Sequence, residues 1–149
     1  MKHIIISLLL LGFAACGHVN FDPPEGFIEL RKSDTVLRLV ASDASAIRVT
    51  WRENKKNGST QFWAELFKRE LTEFKGYTLV KEEPFHDKVG VIFDLTAPYN
   101  NSVFHYTIAV LTSEDDVYVV ELGAEKATYE KHRKAFLDLV TTIYKDEIK

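Results

Sequence analysis

The 149-residue chain is 46% hydrophobic and 28% charged, with a formal net charge of -3, which fits one domain with a filled core and excludes two ordinary domains or a disordered chain. Its basic clusters, Arg52–Lys56 and Lys131–Lys134, are short and interrupted, so no patch suits nucleic acid and no such partner is expected. The lone cysteine, Cys16, excludes an intramolecular disulfide and a Cys-x-x-Cys metal site.

Lys2 and His3 precede an apolar run, Ile4 to Ala15, broken only by Ser7 and Gly12. A helix needs about 20 apolar residues to cross a bilayer, so this run suits the centre of a signal peptide instead. The small pair Ala14-Ala15 stands directly before Cys16. Phe13-Ala14-Ala15-Cys16 resembles the lipobox of bacterial lipoproteins, with Phe13 where that pattern has Leu. The resemblance implies cleavage before Cys16, lipidation of its thiol and acylation of the new amino group. Two or three acyl chains hold a protein stably on a membrane where one chain does not. Gly17, in place of the Asp that retains such proteins at the inner membrane, implies delivery to the outer membrane of a Gram-negative cell, on its periplasmic face. A plain secretory signal and an uncleaved anchor are the alternatives. Residues 1–15 are thus expected to be a signal peptide and 16–26, with Pro23-Pro24, a short tether between lipid and domain.

The domain is expected over residues 27–149. Gly26–Leu30 and Thr35–Val40 read as short strands around a polar turn. Ile47, Val49 and Trp51 alternate with Arg48, Thr50 and Arg52, the period of a half-buried strand. Ser59 or Thr60 can cap a helix through Phe74, with Phe62, Trp63, Leu66, Phe67, Leu71 and Phe74 as its apolar face and Gly76 as its stop. Tyr77–Val80, Val89–Leu95, Val103–Leu111 and Val117–Leu122 follow as strands, the last two joined by an acidic connection over 112–116. A second amphipathic helix begins near Thr128, with Tyr129, Phe136, Leu137, Val140, Ile143 and Tyr144 on one stripe.

The order β-β-β-α-β-β-β-β-α predicts an α+β domain: a mostly antiparallel sheet of about six or seven strands flanked by two main helices. The helix FWAELFKRELTEFKGYTLV running into a strand, and the block FHYTIAVLTSEDDVYVVELGAEKATYEKHRKAFLDLV, resemble the PsbP/Mog1-like α/β/α sandwich over roughly residues 26–145. A cystatin-like or NTF2-like arrangement is the main competitor. The PsbP/Mog1-like resemblance implies a non-enzymatic accessory or binding domain and no cofactor. The metal contacts of plant members find no matching motif here.

Few constellations point to chemistry. His86 and Asp87 are neighbours, and neighbours on a strand point to opposite faces. His105 shares a strand face with Val103 and Thr107, while His132 lies beside Lys131 and Arg133 and is expected at the surface. Ser102, His105 and Asp94 form a triad on paper with no supporting nucleophile elbow. Glu114–Asp116 lacks the length and glycine of a calcium loop and reads as a hairpin tip. Asn57-Gly58-Ser59 and Asn100-Asn101-Ser102 read as turns. Trp51, Phe62, Trp63, Phe67 and Phe74 suit either a ligand groove or core, with Trp51 the better candidate for an exposed contact.

The expectation is therefore a non-enzymatic accessory or binding module lipid-anchored to the bacterial cell envelope, in contact with an envelope protein or a small ligand. An envelope hydrolase built on His86, Asp94 and His105 is the alternative, and a purely structural envelope protein is another.

Overall fold

A computed structural model describes residues 17–99 and 102–149. Seven strands form one sheet in the order β1-β2-β3-β7-β6-β5-β4, with every neighbouring pair antiparallel. The strands are β1 Phe27–Lys32, β2 Val36–Ala41, β3 Ala46–Glu53, β4 Thr78–Phe85, β5 Gly90–Tyr99, β6 Ser102–Thr112 and β7 Asp116–Glu125. Helix α1, Thr60–Arg69, links β3 to β4, and α2, Lys126–Ile143, follows β7. Element order and fold class are those expected from the sequence.

Connectivity dictates how the two faces are covered. β3 lies mid-sheet and β4 at one edge, so α1 must cross one face over the β5–β7 half. There Ala64, Phe67 and Leu71 bury against Phe93, Leu95, Ile108, Val110, Val117 and Val119. α2 takes the opposite face, where Phe136, Leu139, Val140 and Ile143 meet Leu37, Leu39, Ile47, Tyr118, Val120 and Leu122. β6 and β7 lie under both layers, which is why they read as unbroken apolar runs rather than alternating ones.

Local chemistry sets the helix ends. Ser59 is extended (φ -67°, ψ 158°), and its Oγ accepts the Phe62 backbone N–H at 3.1 Å, a side-chain N-cap. After Arg69 the helix widens through one turn over Glu70–Phe74, where the Lys75 N–H reaches back to the Glu70 carbonyl at 3.1 Å. Gly76 then takes φ +70°, a left-handed conformation that costs glycine nothing and stops the helix. The apolar stripe read from spacing is wider than the buried one: Phe62, Leu66 and Phe74 are exposed. Phe62, in the first turn of α1, faces an open hollow beside Thr50 and Arg52 of β3, and Phe74 ends the widened turn beyond Leu71, the last side chain of the stripe to reach the core.

Residues 17–26, expected as a tether, instead pack on the sheet as a strap. Val19 is 0% exposed and Phe21 6%, both inside the α2-side core. Two prolines stop a helix or an inner strand, but they do not stop an extended segment from burying alternate side chains. The folded body therefore starts at least by Gly17, ten residues ahead of the expected boundary. Residues 1–16, with the expected signal peptide and Cys16, lie outside the described residues, as do 100 and 101.

β4 runs five residues further than expected, through Lys81-Glu82-Glu83-Pro84 to Phe85. As an edge strand it tolerates Pro84, whose missing N–H faces no partner. Both edge strands carry a register irregularity, at Glu29/Arg31 in β1 and at Leu79/Lys81 in β4.

Candidate functional site

Directly opposite residues in a sheet share a face, so register decides which side chains meet. Asp94 pairs with Thr107 across β5 and β6, on the α2 side. The Asp94 Oδ1 accepts the Thr107 hydroxyl at 2.8 Å and the Tyr129 hydroxyl at 2.9 Å, and its Oδ2 accepts Arg133 Nη2 at 3.2 Å. Arg133 also approaches Glu83 of β4 at 3.6 Å. Burial raises the Tyr129 hydroxyl above the usual phenol range, with the Asp94 charge adding to it. Both carboxylate oxygens are thus engaged in fastening α2 to β4 and β5, and Asp94 is a structural clamp.

His105 reaches this cluster only through the Tyr129 ring, 4.9 Å between centroids. His86 is elsewhere: it lies in the β4–β5 turn, at the opposite end of the strands, stacked on Tyr144 at 4.3 Å. Ser102 points to the α1 side of β6, away from His105, and its Oγ donates to the Tyr99 carbonyl at 2.9 Å. Neither the His86/Asp94/His105 arrangement nor the Ser102/His105/Asp94 triad is brought together.

His132 departs from expectation. It is 3% exposed, with Nε2 2.7 Å from Asp43 Oδ2 and its ring edge-on to Phe27. Charged neighbours in sequence mark a helix face that turns outward, and His132 is one position round from them. The His132 hydrogen bond holds the Asp43 carboxyl well below the usual carboxylate range, against the opposing effect of burial.

On the α1 side, Glu121 is 7% exposed in the middle of β7. It is opposite Arg48 of β3, which grips it through Nε and through Nη2 at 2.8 Å, and it accepts the Tyr106 hydroxyl. The Glu121 bond raises the Arg48 pKa, and burial with the Glu121 charge pushes the Tyr106 hydroxyl far up. A lone acid inside VYVVELG is the sequence signal for this network, since a carboxylate there requires a cation from the adjoining strand. The same register row continues outward: Arg48 opposes Arg38 of β2, and Arg38 opposes Arg31 of β1. Arg31 and Arg38 are exposed and make no ion pair among the described residues.

The aromatics split between roles. Phe67 is core, and the Trp63 indole N–H donates to Asn54 Oδ1 at 2.8 Å. Trp51 is half-buried, stacked on His18 at 3.6 Å with its N–H on Asp116 Oδ1 at 2.7 Å, so it fastens the strap and the acidic tip rather than standing free. Among the described residues no group of three or more His, Cys, Asp or Glu is placed to hold a metal ion.

No family model and no curated protein sequence matches the chain. Solved structures do. The solution structure of cyanobacterial PsbP (CyanoP) from Synechocystis superposes with a TM-score of 0.58 at 14% identity, covering 79% of this chain and 81% of that one. A Pseudomonas aeruginosa protein of unknown function superposes with a TM-score of 0.57 at 12% identity, covering 78% of this chain and 94% of that one. At these identities the likeness is one of fold: the architecture is PsbP-like α+β.

Proposed function

We propose that the chain is a lipid-anchored cell-envelope protein, with an acylated Cys16 and a PsbP-like domain that acts as a non-enzymatic accessory or binding module. In a Gram-negative cell the lipobox-like start and Gly17 favour the periplasmic face of the outer membrane.

The observation that carries the reading is the relation of the strap to Cys16. The His18 N–H donates to the Asp34 carbonyl at 3.0 Å, and the Tyr118 hydroxyl donates to the His18 carbonyl at 3.0 Å. The domain is thus fastened at His18, two residues after Cys16 in the sequence. A signal-length apolar run before an Ala-Ala-Cys sequence supports the same boundary. The binding half of the reading is supported by Asp94 and Glu121, whose carboxylates are spent on holding elements together.

Metabolic labelling with an alkyne palmitate analogue tests the anchor. Label on the wild-type chain, lost in Cys16→Ser together with membrane retention, is the expected result. Absence of label on the wild type, or label surviving Cys16→Ser, overturns it.

A further inference from the structure

The face that α1 crosses is covered over β5–β7 and open over β1–β3. Its open half carries Ile28 at 69% exposure, half-buried Val36 and Val40, and Arg31, Arg38 and Arg48 in a single register row. Like charges directly opposite on neighbouring strands repel. Arg48 is neutralised by Glu121, but Arg31 and Arg38 oppose each other with no acid assigned to either among the described residues. The nearby acid Glu70 is already 3.4 Å from Lys75. A net-negative chain thus holds two directly opposed arginines, Arg31 and Arg38, without an ion-pair partner among the described residues.

We propose that this open half-face is a docking site for an acidic, extended segment of a protein partner, whose carboxylates are received by Arg31 and Arg38 while its apolar side chains lie on Ile28 and Val40. This deepens the binding half of the function proposed above and is independent of the lipid. Charge complementarity selects the occupant's sign, since guanidinium groups bind carboxylates in paired, directional fashion. Spacing selects its length: Arg31 and Arg38 stand one strand interval apart, about 5 Å, and Ile28 and Val40 form a second opposed pair farther along the same two strands, so the cationic and apolar footholds together exceed one small anion and suit an extended chain. Shape selects a segment over a bilayer. α1 stands roughly 10 Å above the sheet as a wall, closing a recess of about 270 Å³ lined by Arg48, Thr50, Phe67, Leu71 and Glu121. A segment can follow the step from the outer strands down to that wall, whereas a flat lipid surface would bridge from the wall to the sheet's rim and leave the floor between them uncovered.

Fluorescence anisotropy of labelled ten-residue peptides against the full chain in detergent tests the inference. A Glu-rich peptide is expected to bind and to weaken steeply with added salt, while Gln-rich and Lys-rich peptides do not bind. Arg31→Gln/Arg38→Gln should lower affinity for the Glu-rich peptide at least about tenfold, whereas Lys134→Gln on α2 leaves it unchanged. Arg38→Glu should gain affinity for the Lys-rich peptide. The melting temperatures of the arginine variants should match or exceed the wild type, because these substitutions relieve repulsion. Equal binding of Glu-rich and Gln-rich peptides overturns the inference, as does unchanged affinity in the double variant. Arginine-dependent flotation with phosphatidylglycerol vesicles, without peptide binding, overturns it in favour of a membrane contact. A wild-type chain that carries the lipid but ignores the Glu-rich peptide overturns this inference alone and leaves the anchored reading standing.

Discussion

The two faces of the sheet are built from the same strands and covered in different ways. On one side α2 and the strap together cover the sheet from β1 to β6, and Val19, Leu37, Ile47, Tyr118, Val120 and Leu122 are essentially sealed from water. On the other, α1 covers half and among the described residues nothing replaces the strap, so Ile28 and Arg38 are exposed and Val40 is half-buried. The difference shows that a segment without regular structure can complete a core as a helix does. It also shows that an incomplete layer leaves a defined shelf.

The largest effect should come from breaking the sealed side. Val19→Ala/Phe21→Ala removes two strap anchors from the core, and truncations of this kind cost several kcal/mol, about 4 kcal/mol here. A denaturant melt checks it, and a true tether would show no change. Next is Glu121→Gln beneath the edge of the shelf, which leaves Arg48 half-compensated and Tyr106 with a weaker acceptor. The half-exposed Arg48 side chain can turn to water, so the loss should be near 2 kcal/mol by the same measurement.

Asp43, fastened to His132 on the sealed side, should appear in pH dependence. The Asp43 carboxyl is lowered from its ordinary 3.8 in the folded state. Its contribution to stability is therefore present above about pH 4 and lost as pH falls below that range toward the folded value. Asp43→Asn should flatten this acid limb of a melting-temperature profile and leave its remainder in shape. The smallest effect should come from the open shelf, where Ile28→Ser should change stability by no more than about 0.5 kcal/mol in the same melt. A larger loss would mean that the shelf is covered in the isolated chain.

Element order, the antiparallel sheet and the helix cap at Ser59 were legible because each rests on short-range chemistry: period, turn residues and a hydroxyl before an apolar run. The strap was not, because Pro23-Pro24 describes only what the backbone cannot do, while burial of Val19 and Phe21 depends on a surface formed by residues a hundred positions away. Phe62 and Phe74 misled for a related reason: helical spacing marks a side of α1, and only the sheet's width decides how much of that side is covered. Of the polar residues, His105 could be placed on one strand face with Thr107, while the role of Asp94 as a clamp required the β5–β6 register and α2. The arginine row was invisible along the chain, since Arg31, Arg38 and Arg48 become neighbours only through strand register.

The irregularities in β1 and β4 bear on how copies of this protein behave together. An unpaired strand edge invites the edge of another copy, and a local bulge twists the row of donors and acceptors out of match. Both rims of this sheet carry such a mismatch, and the β4 rim adds Pro84 and the charged run Lys81, Glu82 and Glu83. If the proposed lipid anchor holds the chain on a membrane, neighbouring molecules confined to two dimensions would meet far more often than they would in free solution. The sheet would then tolerate close lateral packing without zipping into fibres, keeping each domain a separate unit however densely the surface is populated.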